Sequence, residues 1–289
     1  MDLYARQGGG QVDGVVAVTE NVMADLVGVL GPVKLADYAK PVTQQGFAQR
    51  VLYEVELKRP LDNPRKKFLI DLADEVFHRL FALPADKLPA VAEALGKAGG
   101  AGDVQIYFTD PALQAGVAGT VLDGALPSPG RDFLEIVESN LTAGKANAEL
   151  VRDVTYSVRP GRDGRPAATL DIEYANNGLP SEVNPYYNGF VRVYVPKGTT
   201  LSGDTEGDLA PAEDGPYDVI TNQVYVEPKG KYHLHLEYSL PATVAPDGHY
   251  GLTWLRQPGT PSDTLTAVVG SQTFTGDPAH RRLDVSADL

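Results

Sequence analysis

Arg152-Asp-Val-Thr-Tyr-Ser-Val-Arg159 decides the fold, because it alternates strictly and puts Val154, Tyr156 and Val158 on one face. Successive side chains of a strand point to opposite faces, so this stretch reads as a strand with one buried side. Gly161 to Gly164 turns the chain back into Ala167 to Tyr174, which makes a hairpin. Further strands are predicted at 190–195, 218–226, 232–240, 250–256 and 264–269, with turn residues between them and no helical periodicity. Six or seven such strands predict an all-β sandwich of the immunoglobulin-like type over residues 149–289.

Working back towards the amino end, the pattern changes. Val12 to Val18 is a short β-branched run that reads as a buried strand. Thr19 is placed to cap a helix carrying Val22, Met23, Leu26, Val27 and Leu30, which Gly31-Pro32 ends. Helical spacing returns over 43–57 and, most clearly, over 65–81, where Phe68, Leu69, Leu72, Val76, Phe77 and Leu80 recur. A short helix over 86–97 ends at Gly99-Gly100-Ala101-Gly102; a strand at 104–108 and a helix at 111–118 capped by Asp110 follow. This alternation predicts an α/β segment over residues 1–148, incomplete at its amino end, and hence α+β for the whole.

Composition narrows the function. A net charge of −13 offers no basic footprint for nucleic acid and disfavours an anionic lipid surface. With no cysteine, the chain has no disulfide framework, no cysteine-ligated metal and no thiol nucleophile. No apolar run is long enough to span a bilayer, and residues 1–10 do not form a signal peptide. Neither glycine-rich run has phosphate-loop or dinucleotide spacing, and no G-x-S-x-G elbow occurs.

Two constellations offer chemistry. His233, His235 and Glu237 stand at i, i+2 and i+4 of a predicted strand and share one face; all three are zinc-type ligands. Same-face residues are about 7 Å apart along a strand, so a compact site needs a ligand from a neighbouring strand. Because Tyr232, Leu234, Leu236, Tyr238 and Leu240 form the opposite, apolar face, the histidines also read as the solvated side of an amphipathic strand. That second reading is the expectation adopted from sequence, and it implies a melting temperature indifferent to zinc and EDTA. The other constellation is basic: Lys58, Arg59, Arg65, Lys66 and Lys67 bracket a proline-rich turn at a helix start, where backbone N–H groups favour a phosphate. Cations at a helix start are unfavourable without an anion, so these side chains also read as solvated.

Several stretches resemble the bacterial family called domain of unknown function 4012. They are Gln11-Val-Asp-Gly-Val-Val-Ala-Val18, Val29-Leu-Gly-Pro-Val33, Arg65-Lys-Lys-Phe-Leu-Ile-Asp-Leu-Ala73, Glu138-Ser-Asn-Leu141 with Lys145-Ala-Asn147, Val191-Arg-Val-Tyr-Val-Pro196 and Trp254-Leu-Arg-Gln-Pro-Gly259. The resemblance implies an exported or membrane-anchored parent with an upstream transmembrane helix, of which this chain would be a carboxy-terminal portion or an early-truncated product. It also implies an extracytoplasmic place in a bacterial cell envelope, with a cell-wall or envelope component as partner. A fainter resemblance links residues 12–18, Gly31-Pro32-Val33 and Arg65-Lys66-Lys67 to the LytR–CpsA–Psr phosphotransferases, which attach glycopolymers to the wall. On that reading the basic cluster would bind lipid pyrophosphate with Mg²⁺ held by upstream acids. The R-x-x-R-Q arrangement of those enzymes is not reproduced, so the expectation is a non-catalytic envelope module without catalytic residues or a cofactor, serving binding or spacing.

Overall fold

The computed structural model describes residues 2–58, 67–142, 144–202, 205, 207–212, 215–260 and 263–289. The chain is α+β and divides into two compact units, Met1–Ala125 and Leu126–Leu289.

The first unit comprises α1 (Asp2–Arg6), β1 (Gly14–Val18), α2 (Glu20–Leu30), α3 (Phe47–Leu52), α4 (Lys67–Phe81), α5 (Leu88–Ala101), β2 (Val104–Phe108) and α6 (Pro111–Val117). Its core forms where the helical stripes meet: Val22, Leu26 and Val27 of α2, Phe68, Leu72 and Val76 of α4, and Val91 and Ala98 of α5. Burying each of the larger side chains contributes about 1.5–3 kcal/mol. The predicted helices are present with shifted ends; α3 runs into a wider helical turn at Tyr53–Leu57, and α5 continues through the glycines to Ala101. Gly102 stops α5 in the left-handed conformation (φ 79°), and a side chain at Gly99 would press on Leu122. Asp110 caps α6, accepting from the N–H groups of Ala112 and Leu113 at 2.8 and 3.0 Å.

Two expectations for this unit need correction. β1 and β2 pair antiparallel as a two-stranded ribbon, so the alternation of strands and helices does not build a parallel α/β sheet. The 12–18 strand is also not buried: Val15, Val16 and Val18 are exposed, since β1 has a single partner.

The second unit carries two six-stranded sheets. One runs in the order β14 (Arg282–Asp288), β11 (His249–Leu255), β3 (Asp132–Asn140), β6 (Tyr187–Pro196), β9 (Tyr217–Val226) and β8 (Asp208–Pro211). The other runs β13 (Gln272–Thr275), β12 (Thr264–Val269), β4 (Leu150–Arg159), β5 (Ala167–Asn176), β10 (Lys231–Ser239) and β7 (Thr200–Leu201). Their inward side chains form one core that includes Tyr156, Leu170, Ile172, Val193, Ile220, Leu236, Tyr238 and Trp254. Each sheet contains one parallel pair, β3 with β11 and β4 with β12. Six strands per sheet with a parallel pair in each is not the seven-strand antiparallel immunoglobulin arrangement.

The predicted boundary near residue 148 moves to 125/126, because Asp132–Asn140 is an interior strand of the sandwich. That strand brings two carboxylates inside. Glu138 accepts from Tyr174 of β5 at 2.7 Å and from Tyr187 of β6, and pairs with Arg152 of β4 at 3.0 Å. Asp132 accepts from Tyr156 of β4 at 2.7 Å and from Tyr250 of β11. Each acid therefore holds groups from both sheets.

Limited proteolysis is expected to cut between residues 118 and 131, an exposed stretch without regular structure, and to release a fragment with β-only circular dichroism. Cutting first between 142 and 152 would contradict this, since Ala146 and Leu150 lie in the sandwich core.

Candidate metal centre

The outer face of β10 is set by its inner one. Leu234, Leu236 and Tyr238 point into the core, so His233, His235 and Glu237 must point out. On β5 the same logic buries Leu170, Ile172 and Tyr174 and turns Asp171 and Glu173 outward. The two strands pair antiparallel with His233 opposite Glu173 and His235 opposite Asp171. Directly opposed side chains on one face approach to about 5 Å at Cβ, so two imidazoles and two carboxylates are brought together by register alone.

The contacts are short. Asp171 Oδ1 lies 2.8 Å from His233 Nε2 and 2.7 Å from His235 Nδ1. One ligand atom from each of these three residues lies within 4.8 Å of the other two. Glu173 Oε1 is 3.7 Å from His233 Nε2, and Glu237 Oε1 is 3.6 Å from His235 Nε2. Hydrogen bonding to Asp171 raises the His235 imidazole above its ordinary pKa. Asp171 is about one-third exposed and both rings about half, so the group is open to solvent.

Of the predicted ligand set, His233 and His235 converge, whereas Glu237 sits at the far ring nitrogen of His235. The carboxylate facing both rings is Asp171, which the spacing on a single strand does not disclose.

The basic cluster is only partly described. Arg59, Arg65 and Lys66 lie outside the described residues. Lys58 Nζ pairs with Glu54 at 3.1 Å and stands 5.4 Å from the Tyr38 ring centre. Lys67 pairs with Asp71 and, at 3.1 Å, with Asp37; hydrogen bonds to these two acids hold its ammonium above the ordinary lysine range. Both described lysines are thus committed to carboxylates of their own chain.

No helix among the described residues is long and apolar enough to cross a membrane. Residues 1–55 match the model of the family described as a protein of unknown function, DUF4012. No curated protein matches the chain. Among solved structures, the chain is similar to a nutrient-binding protein candidate from Legionella pneumophila, at 10% identity over 54% of this chain and 70% of that one, with a TM-score of 0.25. The LytR–CpsA–Psr resemblance has no support among these matches, and the family match covers the amino-terminal 55 residues alone.

Proposed function

We propose that the chain is a non-catalytic extracytoplasmic module of the bacterial cell envelope, in a binding or spacer role. The observation that carries this reading is the use of its buried charges. Asp132 and Glu138 are spent on joining one sheet to the other, through four tyrosine hydroxyls and Arg152. A catalytic acid or base needs access to a substrate proton; Asp132 is fully buried, and Glu138, 7% exposed, is already engaged by two tyrosines and Arg152. The family match over residues 1–55 agrees with an envelope setting only through the resemblance drawn from sequence.

The competing activity, transfer from a lipid pyrophosphate, would need free cations at the start of α4. Lys67 is held between two acids instead. Calorimetric titration with a short-chain polyprenyl pyrophosphate and Mg²⁺ is expected to give no binding by the wild type, and none by the Arg65→Ala, Lys66→Ala, Lys67→Ala variant. Micromolar binding by the wild type that vanishes in the variant would overturn the non-catalytic reading. The envelope placement has its own test: protease added to intact cells is expected to degrade the protein, and full protection would refute it.

A further inference from the structure

We infer that Asp171, His233 and His235 form a binding site for a divalent cation of the zinc class on the outer face of the second sheet. The inference goes beyond the scaffold role and does not depend on the envelope placement.

Three observations carry it. The first is convergence. Two imidazole nitrogens and a carboxylate oxygen from paired strands all lie within 4.8 Å of one another, with both ring nitrogens in contact with one oxygen, Asp171 Oδ1. Imidazole with carboxylate is the donor set of a borderline metal, not of calcium or magnesium, which take oxygen shells. Zinc bonds of about 2.0–2.2 Å would set tetrahedral ligand atoms about 3.4 Å apart. The present 2.7 and 2.8 Å contacts are hydrogen bonds, so the metal would replace two N–H protons while each ring nitrogen and the carboxylate oxygen move apart by about 0.6–0.7 Å, which half-exposed side chains allow.

The second observation is charge. Asp171, Glu173 and Glu237 crowd the two rings, and among the described residues no lysine or arginine pairs with any of the three. Three carboxylates against two imidazoles leave an excess of negative charge that a divalent cation neutralises.

The third is orientation. A metal-bound histidine commonly donates its other ring N–H to a carboxylate, which fixes the tautomer. With His235 ligating through Nδ1, its Nε2 faces Glu237 at 3.6 Å. Glu237 thereby becomes a positioning residue. Glu173 Oε1 lies 3.7 Å from His233 Nε2, and the half-exposed rings leave a fourth position to water.

The test is calorimetric titration of the purified chain with zinc chloride. One ion per chain is expected to bind with micromolar affinity. Changing both His233→Ala and His235→Ala should weaken binding at least 100-fold, and Asp171→Asn at least tenfold. Glu237→Gln should weaken it about tenfold, the lower end of what an orienting carboxylate contributes. A second readout is spectroscopic: cobalt should give the visible absorption of a tetrahedral nitrogen–oxygen site in the wild type and not in the double histidine variant. These side chains point away from the core, so the variants should melt with the metal-free wild type, and zinc should raise the melting temperature of the wild type alone, reversibly with EDTA. Zinc binding of equal strength in the wild type and the double histidine variant would overturn the site, as would its absence from both.

Discussion

Replacing Arg152 with methionine is expected to lower the unfolding free energy of the carboxy-terminal unit by about 3–5 kcal/mol, the usual loss when one partner of a buried ion pair is removed. Arg152 is 7% exposed and lies between two carboxylates, Glu138 at 3.0 Å and Asp263 at 3.0 and 3.1 Å. Burial opposes its charge, yet Glu138 and Asp263 hold the guanidinium protonated. Methionine fills most of the space but leaves both acids buried and unpaired. The size of the loss reports abandoned charge more than the worth of the pair, so a triple variant should distinguish the two. Arg152→Met with Glu138→Gln and Asp263→Asn should regain at least about 1 kcal/mol over Arg152→Met alone, because coupled residues are not additive. Urea unfolding at neutral pH measures both. A loss below about 1 kcal/mol for the single variant would mean that water reaches the carboxylates and the network is not a cross-sheet tie.

The same network explains which parts of the fold were legible in the sequence. β4, β5 and β10 could be read because each keeps one face apolar, and a strand buried on one side declares itself by alternation. β3 could not. Its run Asp132-Phe-Leu-Glu-Ile-Val-Glu138 carries three acids, which read as solvated residues although all three are buried. Asp132 and Glu138 are satisfied by tyrosines and Arg152, and Glu135 by Arg281 at 2.9 Å, partners up to 146 residues away in the chain. With β3 disguised in this way, the change from helices to strands shows in the sequence only at β4. β14 differs from β3, since Leu283, Val285 and Ala287 alternate with polar residues as a strand with one buried side does.

The metal candidate divides the same way. The i, i+2 spacing of His233 and His235 is a property of one strand and is visible in sequence. Asp171 also points outward by alternation along 167–174, but nothing local says that β5, and not another strand, lies beside β10 with Asp171 opposite His235. Register between strands some sixty residues apart is set by the whole core. The solvated-face reading, with its indifference to zinc, followed from one strand; the paired strand changes the expectation.

Asp132 should make the stability of the second unit depend on pH in a direction opposite to that of an ordinary surface acid. Its side chain is fully buried, and desolvation pushes its pKa from 3.8 up to about 6, against the hydrogen bonds donated by Tyr250, Tyr156 and the Phe133 N–H. A folded-state pKa above the unfolded one means that the native protein holds the proton more tightly. The contribution is then fully present below about pH 3.8, declines as pH rises through 6 and is flat above. A shift of about two units corresponds to about 3 kcal/mol over the whole window, of which about 2 kcal/mol falls between pH 4.5 and 6.5. Other carboxylates are shifted as well: Asp277 and Asp284 are lowered by hydrogen bonds, and Glu135 and Asp263 are raised by burial. The informative quantity is therefore the difference between the wild type and Asp132→Asn. Asparagine keeps the shape and one carbonyl acceptor for the tyrosines, and whatever its amide costs beside the Phe133 N–H is the same at every pH. Urea unfolding of both proteins from pH 4.5 to 6.5 should show the variant gaining about 2 kcal/mol on the wild type as pH rises. A difference that stays constant within about 0.5 kcal/mol would show that Asp132 is ionised throughout the range, and that its two tyrosines outweigh the cost of burying its charge.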